Sequence, residues 1–316
     1  MRYPRIAGLI IIALALFSFS KERGNRDVDE YQLKGKVKSV IEISQSMDSS
    51  AGTPKIVVFG KVRRTFNEQG NLKEILIYDA HDSVVRRETD VYKHNGQKRV
   101  SYIQDYHKRQ TGKKQKERAY VYDKNGKLVK LTYFTPAGLK NTISEYDGLG
   151  YRCSVTQFSR HNGGLPQKIL VSYNYNYDST GRITQEYAIN EDGSLLDKYI
   201  HKYDKKGREI ETDIYNTDST LSRKISAQFD SLGNPIDIND AYYFIGGGDM
   251  GQKRSAIYDD NGFKTEEDTY RIKPDGTMVL EKSALYENDK VGNWIKETTF
   301  YNNKKGAVVT RAIEYY

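Results

Sequence analysis

The densest group of charged side chains in the sequence is a basic cluster between positions 105 and 118. Its members are Lys108, Arg109, Lys113, Lys114, Lys116 and Arg118. Neighbouring cations attract polyanions through their summed field. The cluster therefore predicts a binding site for an anionic polymer such as an acidic polysaccharide, a lipopolysaccharide or a teichoic-type polymer. The alternative is a hairpin tip that is kept polar and solvated because exposed strand edges aggregate.

Histidines are few, and their positions do not favour a metal site. They are His81, His94, His107, His161 and His201. A metal site needs three or four convergent ligands, whereas His81 and His94 fall in turns of different classes and hence at opposite sheet edges. We also find no Ser-His-Asp motif, Cys-His pair or phosphate loop in its required context. The sequence predicts no catalytic residues, no metal and no cofactor.

Tyrosine is the other residue type with a potential role in binding, and the chain contains 26 tyrosines. A tyrosine ring has an apolar body and a polar hydroxyl, so a row of tyrosines could stack on the sugar rings of a glycan. The competing interpretation is that these rings pack across neighbouring strands, where aromatic side chains are favoured.

A five-residue motif accounts for the placement of many of these aromatic residues. It consists of an aromatic residue, usually Asp or Asn, two variable residues and Gly. Well-formed copies start at Phe66, Tyr122, Tyr146, Tyr177, Tyr203, Phe229 and Tyr258, and Tyr92 and Tyr286 start irregular ones. Asp or Asn can bond the backbone two residues on, while Gly adopts the left-handed conformation that closes a hairpin. The motif recurs about every 28 residues, which identifies a repeat.

A second class of turn falls once between successive copies of the motif, for example at Glu191-Asp192-Gly193 and Pro274-Asp275-Gly276. Each repeat is therefore a strand, a turn, a strand and a turn, and the segments between turns alternate with the period of two that strands require. We predict an all-β fold of tandem antiparallel β-hairpins. Because open sheets rarely exceed ~10 strands, the hairpins should form one long, curled or spiralling antiparallel sheet.

These motifs resemble the YD repeats of the Rhs, teneurin and insecticidal Tc toxin families. The resemblance covers residues from about 60 to 316. It implies a spiralling antiparallel sheet, which in those families encloses a cargo. This chain is several-fold shorter, and no toxin or protease domain follows its last strand, so the encapsulating role is not carried over. It is similar to the short secreted YD-like proteins of gut-type Bacteroidetes.

The N-terminus predicts export. Residues 1–20 read as a signal peptide, with Arg2 and Arg5 before the apolar run from Ile6 to Phe17 and small residues at the cleavage site. The run is shorter than the ~20 residues that span a bilayer, although an uncleaved anchor is the alternative. Residues 21–32 should be a flexible leader and residues 33–316 the repeat domain. Cys153 is the single cysteine, so no internal disulfide can form.

Together these features favour an exported, non-enzymatic binding or scaffold module of the periplasm or cell surface. It would present its sheet to an acidic or surface glycan or to another envelope protein. Nucleic acid is not expected, because the net charge of +8 is small for 316 residues and the chain is exported. No membrane span should remain after signal cleavage. The alternatives are an envelope glycan hydrolase and a structural or immunity-like partner of another secreted protein.

Overall fold

The computed structural model of the protein describes residues 27–48, 55–106, 112–159, 167–243, 250–302 and 304–316. These residues form one short helix, α1 (Asp27–Glu30), and twenty strands. The strands are β1 (Val37–Asp48), β2 (Lys55–Phe66), β3 (Leu72–Tyr78), β4 (Val84–Tyr92), β5 (Lys98–Asp105), β6 (Gln115–Tyr122), β7 (Leu128–Phe134), β8 (Lys140–Tyr146), β9 (Arg152–Ser159), β10 (Gln167–Tyr177), β11 (Ile183–Asn190), β12 (Leu195–Tyr203), β13 (Glu209–Tyr215), β14 (Leu221–Phe229), β15 (Pro235–Tyr242), β16 (Met250–Tyr258), β17 (Lys264–Ile272), β18 (Met278–Asn288), β19 (Trp294–Tyr301) and β20 (Lys304–Tyr315).

The strands form a closed antiparallel barrel in which each strand pairs with its neighbours in the sequence. Closure comes from β1, which pairs with β2 on one side and with β20 on the other. The prediction of one long, curled or spiralling sheet was therefore wrong, although the fold is all-β and antiparallel. An open sheet would leave the backbone groups of β1 and β20 unpaired, and barrel closure removes both edges.

Nine turns that follow the aromatic motif lie at one end of the barrel, which we call the aromatic-turn end. In a representative turn, the Asp123 carboxylate accepts hydrogen bonds of 2.9 Å from the amides of Asn125 and Lys127. Gly126 has a φ of 83°, in the left-handed region that other residues adopt at a cost. Each motif thus reverses the chain within five residues. The second class of turn lies at the opposite end.

The aromatic residue of the motif is part of the barrel wall. The hydroxyl groups of Tyr92, Tyr203 and Tyr258 donate to backbone oxygens of the preceding hairpin, those of Leu72, Ile183 and Pro235. A cation also covers several of these rings, as Arg182 covers Tyr203 with 4.8 Å between the guanidinium carbon and the ring centroid. These tyrosines and their equivalents therefore pack against neighbouring strands of the barrel wall. This arrangement agrees with the cross-strand packing interpretation and not with a row of rings that stack on a glycan.

The best-packed core of the barrel lies at the aromatic-turn end, beneath the closure between β20, β1 and β2. Helix α1 contributes Val28, which packs with Leu33, Val37, Val40, Phe66 and Leu72. Part of the segment predicted to be a flexible leader is therefore folded, since residues 27–32 dock against the barrel; residues 21–26 and the predicted signal peptide lie outside the described residues. In the described part of the chain, no helix is long and apolar enough to cross a membrane.

Candidate functional site

The two faces of the barrel wall differ in burial, which identifies the inner face. On β18, Ala284 is 0% exposed while its neighbour Leu285 is 45% exposed. Because successive side chains of a strand point to opposite faces, Ala284 and its cross-strand partners Glu267 and Thr299 lie on the crowded, inner face. Leu285 and its partners lie on the outer face. The register carries the same assignment around the barrel.

The inner face carries a strip of tyrosines and charged groups on β9 to β13. The rings of Tyr151, Tyr175 and Tyr177 form a cluster with centroids 5.4–6.4 Å apart. The guanidinium of Arg152 lies 4.8 Å from the ring centroid of Tyr173. Because aromatic pairs at these separations and cation–ring contacts are favourable, this strip is a packed and partly polar surface.

A cavity of about 530 Å³ opens where this strip meets the opposite end of the barrel. Its walls are the side chains of Tyr199, Ile214, Asn216, Ser222, Arg223, Tyr242 and Tyr243. The alternating pattern of β12 to β15 brings these residues together, because Tyr199 pairs with Ile214, Ile214 with Arg223 and Arg223 with Tyr242. A volume in this range suits a small ligand.

A forked ion pair fixes the polar side of this cavity. Arg223 donates from Nε to Asp240 Oδ1 and from Nη2 to Asp240 Oδ2, each at 2.7 Å. The same guanidinium lies 4.9 Å from the ring centroid of Tyr242, whose hydroxyl donates to Asp240 at 3.3 Å. The hydrogen bonds from Arg223 to Asp240 raise the pKa of the guanidinium. The pair is therefore neutral overall and presents planar donors and acceptors beside an aromatic ring.

Two carboxyl groups lie on the inner face beside Tyr199. Glu186 pairs directly with Tyr199 and is 5% exposed. Burial raises the pKa of the Glu186 carboxyl, although the electrostatic contributions of His201 and Arg152 oppose the shift. Burial also raises the pKa of Asp197 and raises that of Tyr199 to about 12. The inner face therefore favours uncharged forms of its acidic groups in this region.

A buried carboxyl with a raised pKa makes stability depend on pH. Its contribution is fully present below the pKa of the unfolded chain and is lost as the pH rises through the pKa of the folded state. We expect Glu186→Gln to raise the melting temperature by about 2 °C at pH 7.5 and to have no such effect at pH 4. Scanning calorimetry across that pH range would measure the difference.

Glu211 on the outer face provides the matched control. A hydrogen bond from Lys202 lowers the pKa of Glu211, and a further one from Lys224 adds to the shift. Its contribution to stability is therefore present above the pKa of the unfolded chain and is lost as the pH falls. We expect Glu211→Gln to lower the melting temperature at pH 7.5. Equal shifts for the two variants would contradict the assignment of Glu186 to a buried, uncompensated position.

The structure divides the basic cluster between the two faces of the wall. The Lys114 and Lys116 ammonium groups lie 4.2 and 4.4 Å from the ring centroids of Tyr102 and Phe134. Arg118 pairs with buried Ser101 on the inner face, and Lys113 is exposed just before β6. Lys108 and Arg109 lie outside the described residues. Anion binding by this cluster stays a prediction, now resting on Lys113, Lys114 and Lys116.

The remaining reactive side chains are scattered. His81 and His94 lie in turns at opposite ends of the barrel. His201 lies on the inner face, where its Nδ1 is 3.0 Å from Glu209 Oε1. His107 and His161 lie outside the described residues, and Cys153 is half-buried. Within the described ranges, no three His, Cys, Asp or Glu side chains are placed to hold a metal ion.

Sequence reasoning did not identify the cavity beside Tyr199. Its residues come from four strands and from the positions directly after two of them, and they are separated by up to 44 positions, so no local motif unites them. The available signal was the alternation of side chains along β12, which sets Asp197, Tyr199, His201 and Tyr203 on one face. The register places these four residues on the inner face.

Comparison with known proteins gives matches to solved structures. No protein-family model matches the sequence, and no curated protein sequence matches it. Among solved structures, a porin-like protein from Bacteroides uniformis is 8% identical, with 89% of this chain and 98% of that chain covered and a TM-score of 0.32. A porin-like protein from Bacteroides vulgatus is 9% identical, with 90% and 99% covered and a TM-score of 0.32.

A third solved structure is TcdB2-TccC3 without its hypervariable C-terminal region. It is 10% identical, with 80% of this chain but 18% of that chain covered and a TM-score of 0.21. The YD-repeat assignment remains a prediction.

Proposed function

We propose that the protein is an exported, non-enzymatic glycan-binding module that takes an uncharged saccharide into the cavity beside Tyr199. The observation that carries this proposal is the combination of three tyrosines with a neutral, forked Arg223–Asp240 pair around one opening. Aromatic faces suit the apolar face of a sugar ring, and planar side chains with fixed donors and acceptors suit adjacent hydroxyls.

The electrostatics of the cavity favour an uncharged ligand. Arg223 is engaged by Asp240 through two short hydrogen bonds, so little of its charge is available to an anion. The neighbouring polar groups, Asn216 and Ser222, are neutral. An acidic glycan would therefore find no net positive charge in this pair to offset its own negative charge. This preference separates the cavity from the basic cluster, whose predicted ligand is anionic.

The outer face supports a barrel that works in water. Cross-strand ion pairs join Lys253 to Asp237 at 3.2 Å and Lys130 to Glu145 at 3.2 Å. Asp213 is paired with Lys224 at 3.2 Å in the middle of β13 and β14. A lipid-facing wall carries an apolar band about 25 Å tall, and mid-height charges in it are costly. The signal-like N-terminus then favours the periplasm or the cell surface as the compartment.

Titration with uncharged oligosaccharides tests the proposal. We would measure the binding of cellohexaose, maltoheptaose, xylohexaose and mannohexaose to the purified mature protein by calorimetry at 150 mM salt. We expect at least one of them to bind, and Tyr242→Ala to weaken that binding at least tenfold because the stacking surface is lost. Arg223→Lys should also weaken it, since lysine cannot reproduce the fork.

The matched control is Tyr187→Ala, which removes a tyrosine from the outer face of β11. Its binding should equal that of the wild-type protein. The proposal fails if none of the four sugars binds, or if Tyr187→Ala and Tyr242→Ala reduce binding equally. Binding confined to heparin, lost at high salt and lost when Lys113, Lys114 and Lys116 become serine, would assign the function to the basic cluster instead.

A further inference from the structure

Strand β2 projects past its neighbour β3 and leaves one backbone edge unpaired. β2 pairs with β1 from Lys55 onward, whereas its pairing with β3 starts at Lys61, opposite Tyr78. Within the described ranges, residues 55–60 therefore have a ladder partner on one side alone. Their outward-pointing amide and carbonyl groups can accept another extended strand. The barrel is closed along most of its height but has an open edge at this corner.

The side chains along this edge are apolar and exposed on both faces. Ile56 and Phe59 are 69% and 62% exposed, and Val57 and Val58 between them are also exposed. Four consecutive exposed apolar residues on an unpaired strand normally promote association unless charge or proline interrupts them. Exposure of these apolar side chains to water is unfavourable, so covering them would stabilise the protein.

We infer that residues 55–60 pair with the same segment of a second copy, which extends the two barrels into one antiparallel ladder. A two-fold axis between antiparallel strands must place one residue opposite its own copy. An axis at Val57 sets Val57 opposite its own copy and Ile56 opposite Val58 of the second copy, so these central pairs are apolar and lie on matching faces. The segment is thus complementary to itself.

The exposed area sets the strength of this contact. The four side chains offer roughly 400 Å² per copy, so a dimer would bury roughly 800 Å², which is below the usual size of a stable interface. The added backbone hydrogen bonds compensate in part. We therefore infer a weak, reversible dimer that forms at micromolar or higher concentration rather than a permanent one.

Cysteine cross-linking in the mature chain tests this inference. In a Cys153→Ser background, we would introduce Val57→Cys or Val58→Cys, the two central positions of the edge, and oxidise with copper phenanthroline. Opposed cysteines in an antiparallel pair lie within disulfide range. We expect one of the two variants to form a disulfide dimer at least ten times faster than Val121→Cys, a control that is 50% exposed on the outer face.

Sedimentation velocity provides the second measurement. The mean mass of the wild-type protein should rise with concentration between 1 and 300 µM, and Val57→Lys should remove that rise while leaving the circular dichroism spectrum unchanged. A monomer at every concentration, with equal oxidation rates at all three positions, would overturn the inference. A second result would also overturn the inference: the monomer binds phosphatidylcholine vesicles, and Val57→Lys abolishes that binding. A lipid surface, and not a second copy, would then cover this edge.

Discussion

Replacing Asp27 with alanine should lower the free energy of unfolding by about 3 kcal/mol, a large effect for one residue in a polar four-residue helix. Asp27 is buried where α1 meets the barrel. Its Oδ2 accepts hydrogen bonds from the Leu72 amide at 2.7 Å and the Tyr92 hydroxyl at 2.6 Å. Its Oδ1 accepts one from Lys98 at 2.9 Å.

The size of the effect follows from what remains after the substitution. Burial by itself lowers the pKa of Lys98, but the charges of Asp90 and Asp27 raise it above its ordinary value. In Asp27→Ala, Lys98 keeps its 2.9 Å contact with Asp90, so the buried ammonium is not left unpaired. The Leu72 amide, however, loses its acceptor in a buried site. An unsatisfied buried donor and a weakened ion pair together account for the expected loss.

Urea denaturation of Asp27→Ala, Asp27→Asn and Asp260→Ala would measure these terms. Asparagine keeps one oxygen as an acceptor, so Asp27→Asn should cost about 1 kcal/mol. Asp260 is exposed in an aromatic turn, and its replacement should change stability by less than about 0.5 kcal/mol. Faster proteolysis of residues 27–36 in Asp27→Ala would show that α1 detaches. If Asp27→Ala unfolds at the same urea concentration as Asp260→Ala, α1 does not stabilise the barrel.

The sequence was most informative about the turns, because their chemistry is local. Asp, Asn and Gly at fixed offsets determine a five-residue reversal regardless of the rest of the chain. The motif therefore located nine turns. Together with the second class of turn, it also located the strands that run between successive turns. Residues 49–54, between β1 and β2, carry no such motif, so the pairing of these two strands as a hairpin was not predicted.

Features that depend on distant parts of the chain could not be predicted in this way. Barrel closure pairs Val40 with Ile313, and nothing in either strand specifies the other. The irregular register between Val37 and Ser39 changes which face each residue occupies. Val37 consequently lies in the buried core, whereas Ile41 pairs with Ala312 on the outer face, although a regular strand would place Val37 and Ile41 together.

The folding of residues 27–32 shows why composition misled at the N-terminus. The segment contains one apolar residue that becomes fully buried, Val28, among acidic neighbours. A polar segment of this kind is ordinarily a flexible leader. It folds here because the Val28 amide donates to the Gly70 carbonyl and Asp27 satisfies three donors of the barrel. These partners are contributed by β3, β4, β5 and an aromatic turn, which the segment's own sequence does not reveal.

The second large effect is expected at Gly292 in the last aromatic turn. Its φ of 88° lies in the left-handed region, as does the 84° of Gly193 in a turn at the opposite end. The surroundings of the two glycines differ. A β-carbon at Gly193 would meet no atom within 4 Å, whereas one at Gly292 would lie 2.2 Å from the Phe263 ring. Lys34 covers that ring with 4.4 Å between its ammonium and the ring centroid, so the ring is held in place.

We therefore expect Gly193→Ala to cost about 1 kcal/mol, the price of a left-handed alanine, and Gly292→Ala to cost about 3 kcal/mol. Thermal and urea unfolding of the two variants would measure the gap between them. Phe263→Ala supplies the control, because it removes the ring with which the new methyl group would collide. In that background, Gly292→Ala should cost no more than Gly193→Ala does in the wild-type chain. A penalty at Gly292 that persists after the ring is removed would attribute the cost to the backbone alone and contradict the packing of Phe263 on this turn.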